Sequence, residues 1–158
     1  MSDERTPTAE RGTPPDTRPI WQRRRQPETL RLRSFTPSFT VTELEHSVDF
    51  YTDVLGFIVV ERWTRDGVPV GAMLRAGDCE LSLVQDDGAK GRDRPRGQAM
   101  RIYSETGQDI DALAERARAR GGTIVDGPRE HSWGARGVSF DDPDGFHLTI
   151  YRRHPPPR

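Results

Sequence analysis

The chain has 158 residues, with 24 Lys and Arg against 25 Asp and Glu and a formal net charge of −1. That length suits one ordinary domain with an extension, and the balanced charge excludes a global field that would draw nucleic acid or an anionic membrane. Cys79 is the only cysteine, so no disulfide can form within the chain, and no apolar run is long enough to span a bilayer. The N-terminus lacks the apolar core of a signal peptide, which makes the cytoplasm the expected location.

Residues 1–26 are rich in Pro, Thr, Arg and acids and hold few apolar side chains. Such a stretch buries too little surface to offset chain entropy, so residues 1–29 are expected to form a flexible or loosely docked arm. Trp21 precedes Gln22-Arg23-Arg24-Arg25; the interspersed acids favour a tail with chance arginines over a docking patch. From Leu30 the pattern turns extended, through Leu32, Phe35 and Phe39 to Val41, and Pro37 within it implies a sheet edge or a bulge. Thr42-Glu43-Leu44-Glu45 has the form of a capping box. Leu44, Val48, Tyr51 and Leu55 then recur at helical spacing, and Gly56 is placed to end the helix. Strands at 57–63, 68–75 and 79–85, with turns at Asp66-Gly67 and Gly77-Asp78, complete a strand, a helix and a three-stranded meander.

Residues 86–97 are polar and charged, with three glycines and a proline, and read as a linker. A strand follows at 100–105. Asp109 can cap a second helix that buries Ile110, Leu113, Ala114 and Ala117 and ends at Gly121-Gly122. Strands are expected at 123–126, around 137–140 and at 146–151. In the turn Asp142-Pro143-Asp144-Gly145, proline pre-sets φ, Asp144 tolerates bent backbone and Gly145 takes positive φ without steric cost. The strand after it alternates: Phe146, Leu148 and Ile150 suit a core, while His147, Thr149 and Tyr151 suit a cavity wall.

The element order therefore repeats. Leu44, Val48 and Gly56 match Ile110, Ala114 and Gly122 at one constant offset; Leu81, Ser82 and Leu83 match Leu148, Thr149 and Ile150 after one residue of slippage. Two such units, each a curved sheet with its helix outside and concave faces meeting around a shared cavity, make an α+β architecture.

The run Val41-Thr42-Glu43-Leu44-Glu45-His46-Ser47-Val48-Asp49-Phe50-Tyr51, with Val54-Leu55-Gly56-Phe57, resembles the opening of glyoxalase and bleomycin-resistance proteins. Trp133-Gly134-Ala135-Arg136 and the Asp142–Gly145 turn resemble their close. The chain is thus similar to the glyoxalase/bleomycin resistance protein/dioxygenase (vicinal oxygen chelate) superfamily over about residues 32–152. The resemblance implies paired βαβββ modules, curved mixed sheets around a central cavity, and assembly as a homodimer. It divides the chain into an arm (1–29), a vicinal-oxygen-chelate domain (30–152) and a tail (153–158), with modules at about 30–86 and 99–152 and a linker at 87–98.

In metal-dependent members of that superfamily, four strands each give a His or Glu to a divalent ion. Carried over by position, those sites fall on Thr36, on Ser82 (Glu80 if the strand slips by one pair), on Arg101 or Ile102, and on Thr149. Hydroxyls are poor ligands for a transition ion and arginine is a permanent cation, so no cofactor is expected. The alternative donor set is Glu80 and His147, with His131 or a water as third ligand, which implies a divalent metal.

Cys79 has no neighbouring base and reads as a structural thiol; His46 and His154 read as solvated, and His131 as a surface histidine within reach of the cavity mouth. The ligand-binding candidates are Trp63, Met73, Arg75, Ser82, Arg101, Tyr103, Trp133, Thr149 and Tyr151, with Glu80 and His147 as catalytic candidates. Aromatic faces with a few polar groups are what a small-molecule site needs. The leading reading is a metal-free binding protein for a small planar molecule, of the resistance or sequestration type, with no nucleic-acid or membrane partner. One alternative is a metal-dependent enzyme, a lactoylglutathione-lyase-like isomerase or lyase or an extradiol-type dioxygenase; another is a cofactor-free cyclase or isomerase with Glu80 or His147 as general base. Arg75 and Arg101 against Glu80 make the cavity neutral to positive, which favours a neutral or anionic ligand over a cationic glycopeptide such as bleomycin.

Overall fold

The computed structural model describes residues 32–155 together with Thr17; the expectations for residues 1–31, Trp21 and Leu30 among them, lie outside the described residues. Residues 34–155 belong to one compact unit. Its elements are β1 (Ser38–Val41), α1 (Leu44–Asp49) running on through a π-type turn (Phe50–Val54), β2 (Ile58–Arg65), β3 (Val68–Ala76), β4 (Cys79–Gln85), β5 (Arg101–Glu105), α2 (Ile110–Ala119), β6 (Ile124–His131), β7 (Ala135–Asp141) and β8 (His147–Arg153). No helix among the described residues is long and apolar enough to cross a membrane.

The repeat in sequence is a repeat in topology. One four-stranded sheet has the order β1-β4-β3-β2 and the other β5-β8-β7-β6, so each helix crosses from an edge strand to the far side of its own sheet. In each sheet the edge strand runs parallel to its neighbour and the remaining pairs are antiparallel, the pattern of a βαβββ unit. Strand alternation then sorts the side chains. Phe39, Val41, Ala72, Leu74, Leu81 and Leu83 are buried with Leu44, Val48 and Tyr51 of the first helix. Val138 and Phe140 are buried with Ile110, Leu113, Ala114 and Ala117 of α2, and Ile124 and Ile150 pack against them. These are the stripes that the spacing predicts.

Three local features differ from expectation. The first strand begins at Ser38, and Leu32 and Phe35 are exposed. Pro37 has no N–H to give, but its carbonyl accepts from the Ser82 amide at 2.9 Å and so marks where pairing starts. The capping box does not form: the N-cap of α1 makes no side-chain hydrogen bond. Gln85 replaces it, accepting from the Leu44 amide at 2.9 Å and donating to the Thr42 carbonyl at 2.7 Å. Glu45, freed from that role, pairs with Arg62 at 2.6 Å. Finally, β6 extends past residue 126 to His131, accommodated by register shifts against β7 near Asp126 and Arg129.

The two modules are locked by the turn at residues 142–145. Asp142 is 5% exposed and accepts from the Tyr51 hydroxyl at 2.9 Å and from the Asp144 and Phe146 amides at 2.9 and 2.8 Å. Asp144 does more than tolerate a bend: its carboxylate accepts from both the amide and the hydroxyl of Thr42. Phe146 stacks on Phe39 with ring centroids 3.9 Å apart. Gly97 closes the clasp from the linker, its amide donating to the Asp144 carbonyl at 3.2 Å. A Cβ there would stand 2.0 Å from the Gly145 backbone carbon, so only glycine fits. Arg96, nearly buried, pairs with Asp86 and holds the linker against the same corner.

Burial pushes the Asp142 carboxyl above its ordinary range, while the Phe146 amide, the Tyr51 hydroxyl and the Asp144 amide pull it back. Ionising Asp142 on the way to neutral pH therefore removes stability, and the three donors limit that loss. Tyr51→Phe takes one donor away. It is expected to destabilise the fold by about 1–3 kcal/mol at neutral pH. The difference from wild type should shrink below about pH 4, where the carboxyl is protonated in either protein. Urea unfolding at both pH values measures it; an equal loss at each would mean that the hydroxyl does not serve the carboxylate.

Candidate functional site

On each sheet the side chains that point away from the helix form cross-strand rows. In the first sheet the rows are Thr40-Val84-Gly71-Trp63, Ser38-Ser82-Met73-Glu61, and Glu80-Arg75-Ile58. Gly71 is what lets the Trp63 ring lie flat on the sheet, since a Cβ at Gly71 would meet Trp63 Cε3 at 2.4 Å. In the second sheet the rows are Arg101-His147-Asp141, Tyr103-Thr149-Ser139, and Glu105-Tyr151-Gly137. All the sequence-derived strand candidates thus lie on the faces opposite the helices, and Ser82 and Thr149 occupy equivalent positions.

The structure groups them in two sets. Trp63, Met73, Arg75, Glu80 and Ser82 share the first sheet; Arg101, Tyr103, His147, Thr149 and Tyr151 share the second. Among the described residues no hydrogen bond or ring contact joins one set to the other within the chain. The second set is the richer in rings. Trp133 enters from the loop after β6 and stacks on His131, with centroids 4.9 Å apart. It stands edge-on to Tyr151 at 4.8 Å and to Tyr103 at 6.5 Å. His131 is thus part of the ring array, where the sequence pointed to a surface histidine.

Hydroxyls and charges on these faces are mostly satisfied locally. Ser139 Oγ and Thr149 Oγ1 are 2.8 Å apart and buried. Ser38 donates to Ser82 at 3.4 Å. Arg75 pairs with Glu80 at 2.7 Å, and His147 Nδ1 lies 2.7 Å from Asp141 Oδ1. Arg101 is exposed and has no ion-pair partner among the described residues.

A cavity of about 300 Å³ opens between the modules, lined by residues of both edge strands, β1 and β5. Phe35, Pro37, Phe39, Phe57, Leu81, Ile102 and Leu148 give it an apolar lining; Cys79, Glu80, Arg101, Tyr103 and Ser104 supply its polar groups. Tyr103 belongs both to this cavity and to the ring array. Cys79 is exposed at its wall.

The positions where a metal would be expected carry the wrong donors. Thr36 is exposed, the Ser82 and Thr149 hydroxyls bond to neighbouring hydroxyls, and Arg101 is a cation. Ile102, the alternative third position, pairs with Leu148 on the helix side and packs against the core. Glu80 and His147 stand on different sheets, each engaged by a charged neighbour. Among the described residues no three His, Cys, Asp or Glu side chains cluster as a ligand set. These residues do not fit a metal centre.

The profile of the Glyoxalase/Bleomycin resistance protein/Dioxygenase superfamily matches residues 33–150. The chain belongs to this superfamily. Its α+β fold of two βαβββ modules is similar to that of TioX from Micromonospora sp. ML1, at a TM-score of 0.64 and 20% identity, over 77% of this chain and 98% of that one. It is also similar to TnmS3, an antibiotic binding protein from Streptomyces sp. CB03234, at a TM-score of 0.63 and 24% identity, over 80% and 100% of the two chains. At such identities the likeness speaks for the fold. Lactoylglutathione lyase GLX1 of Arabidopsis thaliana is 25% identical over 127 residues, 75% of this chain. Those residues make up 44% of that lyase, so the chain spans less than half of the curated relative's length.

If Thr149 in this superfamily member is a structural hydroxyl, its energetics should show it. Thr149→Val strands the buried Ser139 hydroxyl and is expected to cost about 1–2 kcal/mol. Adding Ser139→Ala should restore most of the loss, because removing both partners leaves nothing unsatisfied. Urea denaturation of the two single variants and the double variant measures the coupling; additive losses would contradict the pairing.

Proposed function

We propose that the chain is a metal-independent binding protein of this superfamily, of the resistance or sequestration kind, that holds a small planar molecule on the face of its second sheet opposite the helix. The ring array around Trp133 carries this reading. The indole is 42% exposed and Tyr103 is 56% exposed, so both offer ring surface to a ligand. His131 and Tyr151 brace the indole from behind and beside. The floor beneath is small and hydrogen-bonded within itself through Ser139 and Thr149, which leaves stacking as the main attraction. TnmS3, similar in fold, is an antibiotic binding protein, which supplies a precedent for such a use.

The charge on the faces favours a neutral or anionic ligand. Glu80 and Asp141 are engaged by Arg75 and His147; among the described residues Arg101 on the second sheet has no ion pair, and the other unpaired charge, Glu61, lies on the first sheet, away from the Trp133 array. The first-sheet face also favours a homodimer: Ile58, at 59% exposure, leaves apolar surface there that a second copy would cover.

Titration of tryptophan fluorescence with aromatic acids and with bleomycin tests the proposal. Aromatic acids should bind, and Trp133→Ala should weaken them by about 2 kcal/mol or more, the scale of an aromatic anchor. Tight bleomycin binding that survives Trp133→Ala would overturn it. Elemental analysis is expected to find Zn, Ni, Fe and Mn well below one ion per chain; a stoichiometric ion lost on Glu80→Ala or His147→Ala would favour the metal-dependent enzyme instead. Light scattering should give the mass of a dimer at micromolar concentration.

A further inference from the structure

We infer that the cavity between β1 and β5 is a second part of the ligand site, built for the apolar body of an amphipathic carboxylic acid whose carboxylate is held by Arg101. This inference rests on the reading of the chain as a small-molecule binder and names the ligand's chemistry. The cavity, at about 300 Å³, is at the low end of the roughly 300–1,000 Å³ of small-molecule pockets. Its lining is lopsided. Phe39, Phe57, Leu81 and Leu148 surround an apolar interior, whereas charge is confined to Glu80 and Arg101.

Glu80 is neutralised at 2.7 Å by Arg75, which does not line the cavity. Arg101 is then the one uncompensated charge among the described lining residues. An arginine that lines an apolar slot can pair with a carboxylate by two parallel hydrogen bonds, a geometry that a carboxamide does not match. Arg101, Ile102, Tyr103 and Ser104 all line the cavity although alternate strand residues point to opposite sides. The cavity therefore meets the outer edge of β5, which pairs with no other strand among the described residues. Tyr103 joins the slot to the ring array, so one molecule can reach both, with its acid group between.

Cys79 makes the test specific. It is the only cysteine in the chain, it is exposed, and it lines the cavity. The probes are 4-phenylbutanoate and its amide, 4-phenylbutanamide, and the readout is the rate of Cys79 alkylation by iodoacetamide. The acid is expected to slow alkylation and the amide to have little effect. Arg101→Gln should weaken protection roughly 10- to 100-fold. Arg116→Gln, on the outer helix, removes the same charge and should leave protection unchanged. Protection by acid and amide alike, or protection that survives Arg101→Gln, would overturn the assignment of a carboxylate to Arg101. If the acid changes tryptophan fluorescence without slowing alkylation, the cavity is not used and binding on the ring array alone stands. If neither signal responds to this acid or to larger aromatic acids, the binding function itself fails.

Discussion

The hydrogen bond from Tyr51 to Asp142 is where the two modules become one molecule. It joins the middle of the first helix to the turn before the last strand, across 91 positions of sequence, in a buried setting. A buried carboxylate is expensive unless it is paired or hydrogen-bonded, and Asp142 meets that demand with a phenol from one module and two amides from the other. The same burial, with the charge of Asp142 behind it, holds the Tyr51 hydroxyl in its protonated, donating form far beyond the usual phenol range. Around this bond the Asp144–Thr42 contact, the Phe39–Phe146 stack and the Gly97–Gly145 approach fall into place.

That corner also explains the cavity. It fastens the modules at one end of β1 and β8, while β1 and β5 remain the unpaired edges of their own sheets. Two sheets pinned at a corner and unpaired along the facing edges leave a gap, and the gap is lined by whatever the edges carry. Here that is Phe35, Pro37 and Phe39 on one side and residues 101–104 on the other. The cavity is thus a consequence of how the modules are joined rather than of either module alone.

Much of the fold was legible because it rests on periodicity. Leu44, Val48 and Tyr51 recur at helical spacing, as do Ile110, Leu113, Ala114 and Ala117, and all are buried. The alternation after Gly145 assigned Leu148 to the core and Thr149 to the opposite face, and the register agrees. What escaped was long-range and polar. Nothing local distinguishes Asp142 as a turn residue from Asp142 as a buried acceptor, because its partner Tyr51 lies in another module. The capping box failed for the same reason: Gln85 and Asp144, distant in sequence, compete successfully for the groups that a local box would use. The ring array was half legible. Trp133 and Tyr151 stood out by type, but the stacking of His131 depends on β6 reaching residue 131, and the register shifts that allow it have no period to reveal them.

The repeat also sets what the two faces can offer chemically. By position Glu80 corresponds to His147, Arg75 to Asp141, Ser82 to Thr149 and Ser38 to Tyr103. Each sheet thus carries an ionisable pair in one row, with the signs exchanged between the sheets, and each pair closes on itself. Such pairs are poor metal donors, since a cation would have to break them, and the Arg75–Glu80 pair contributes little field at a distance. The repeat is also broken at two positions. Thr36, an exposed hydroxyl, is matched by Arg101, and Ser38 by Tyr103. These two departures from internal symmetry lie on adjacent alternate positions of β5, and both residues line the gap between the modules.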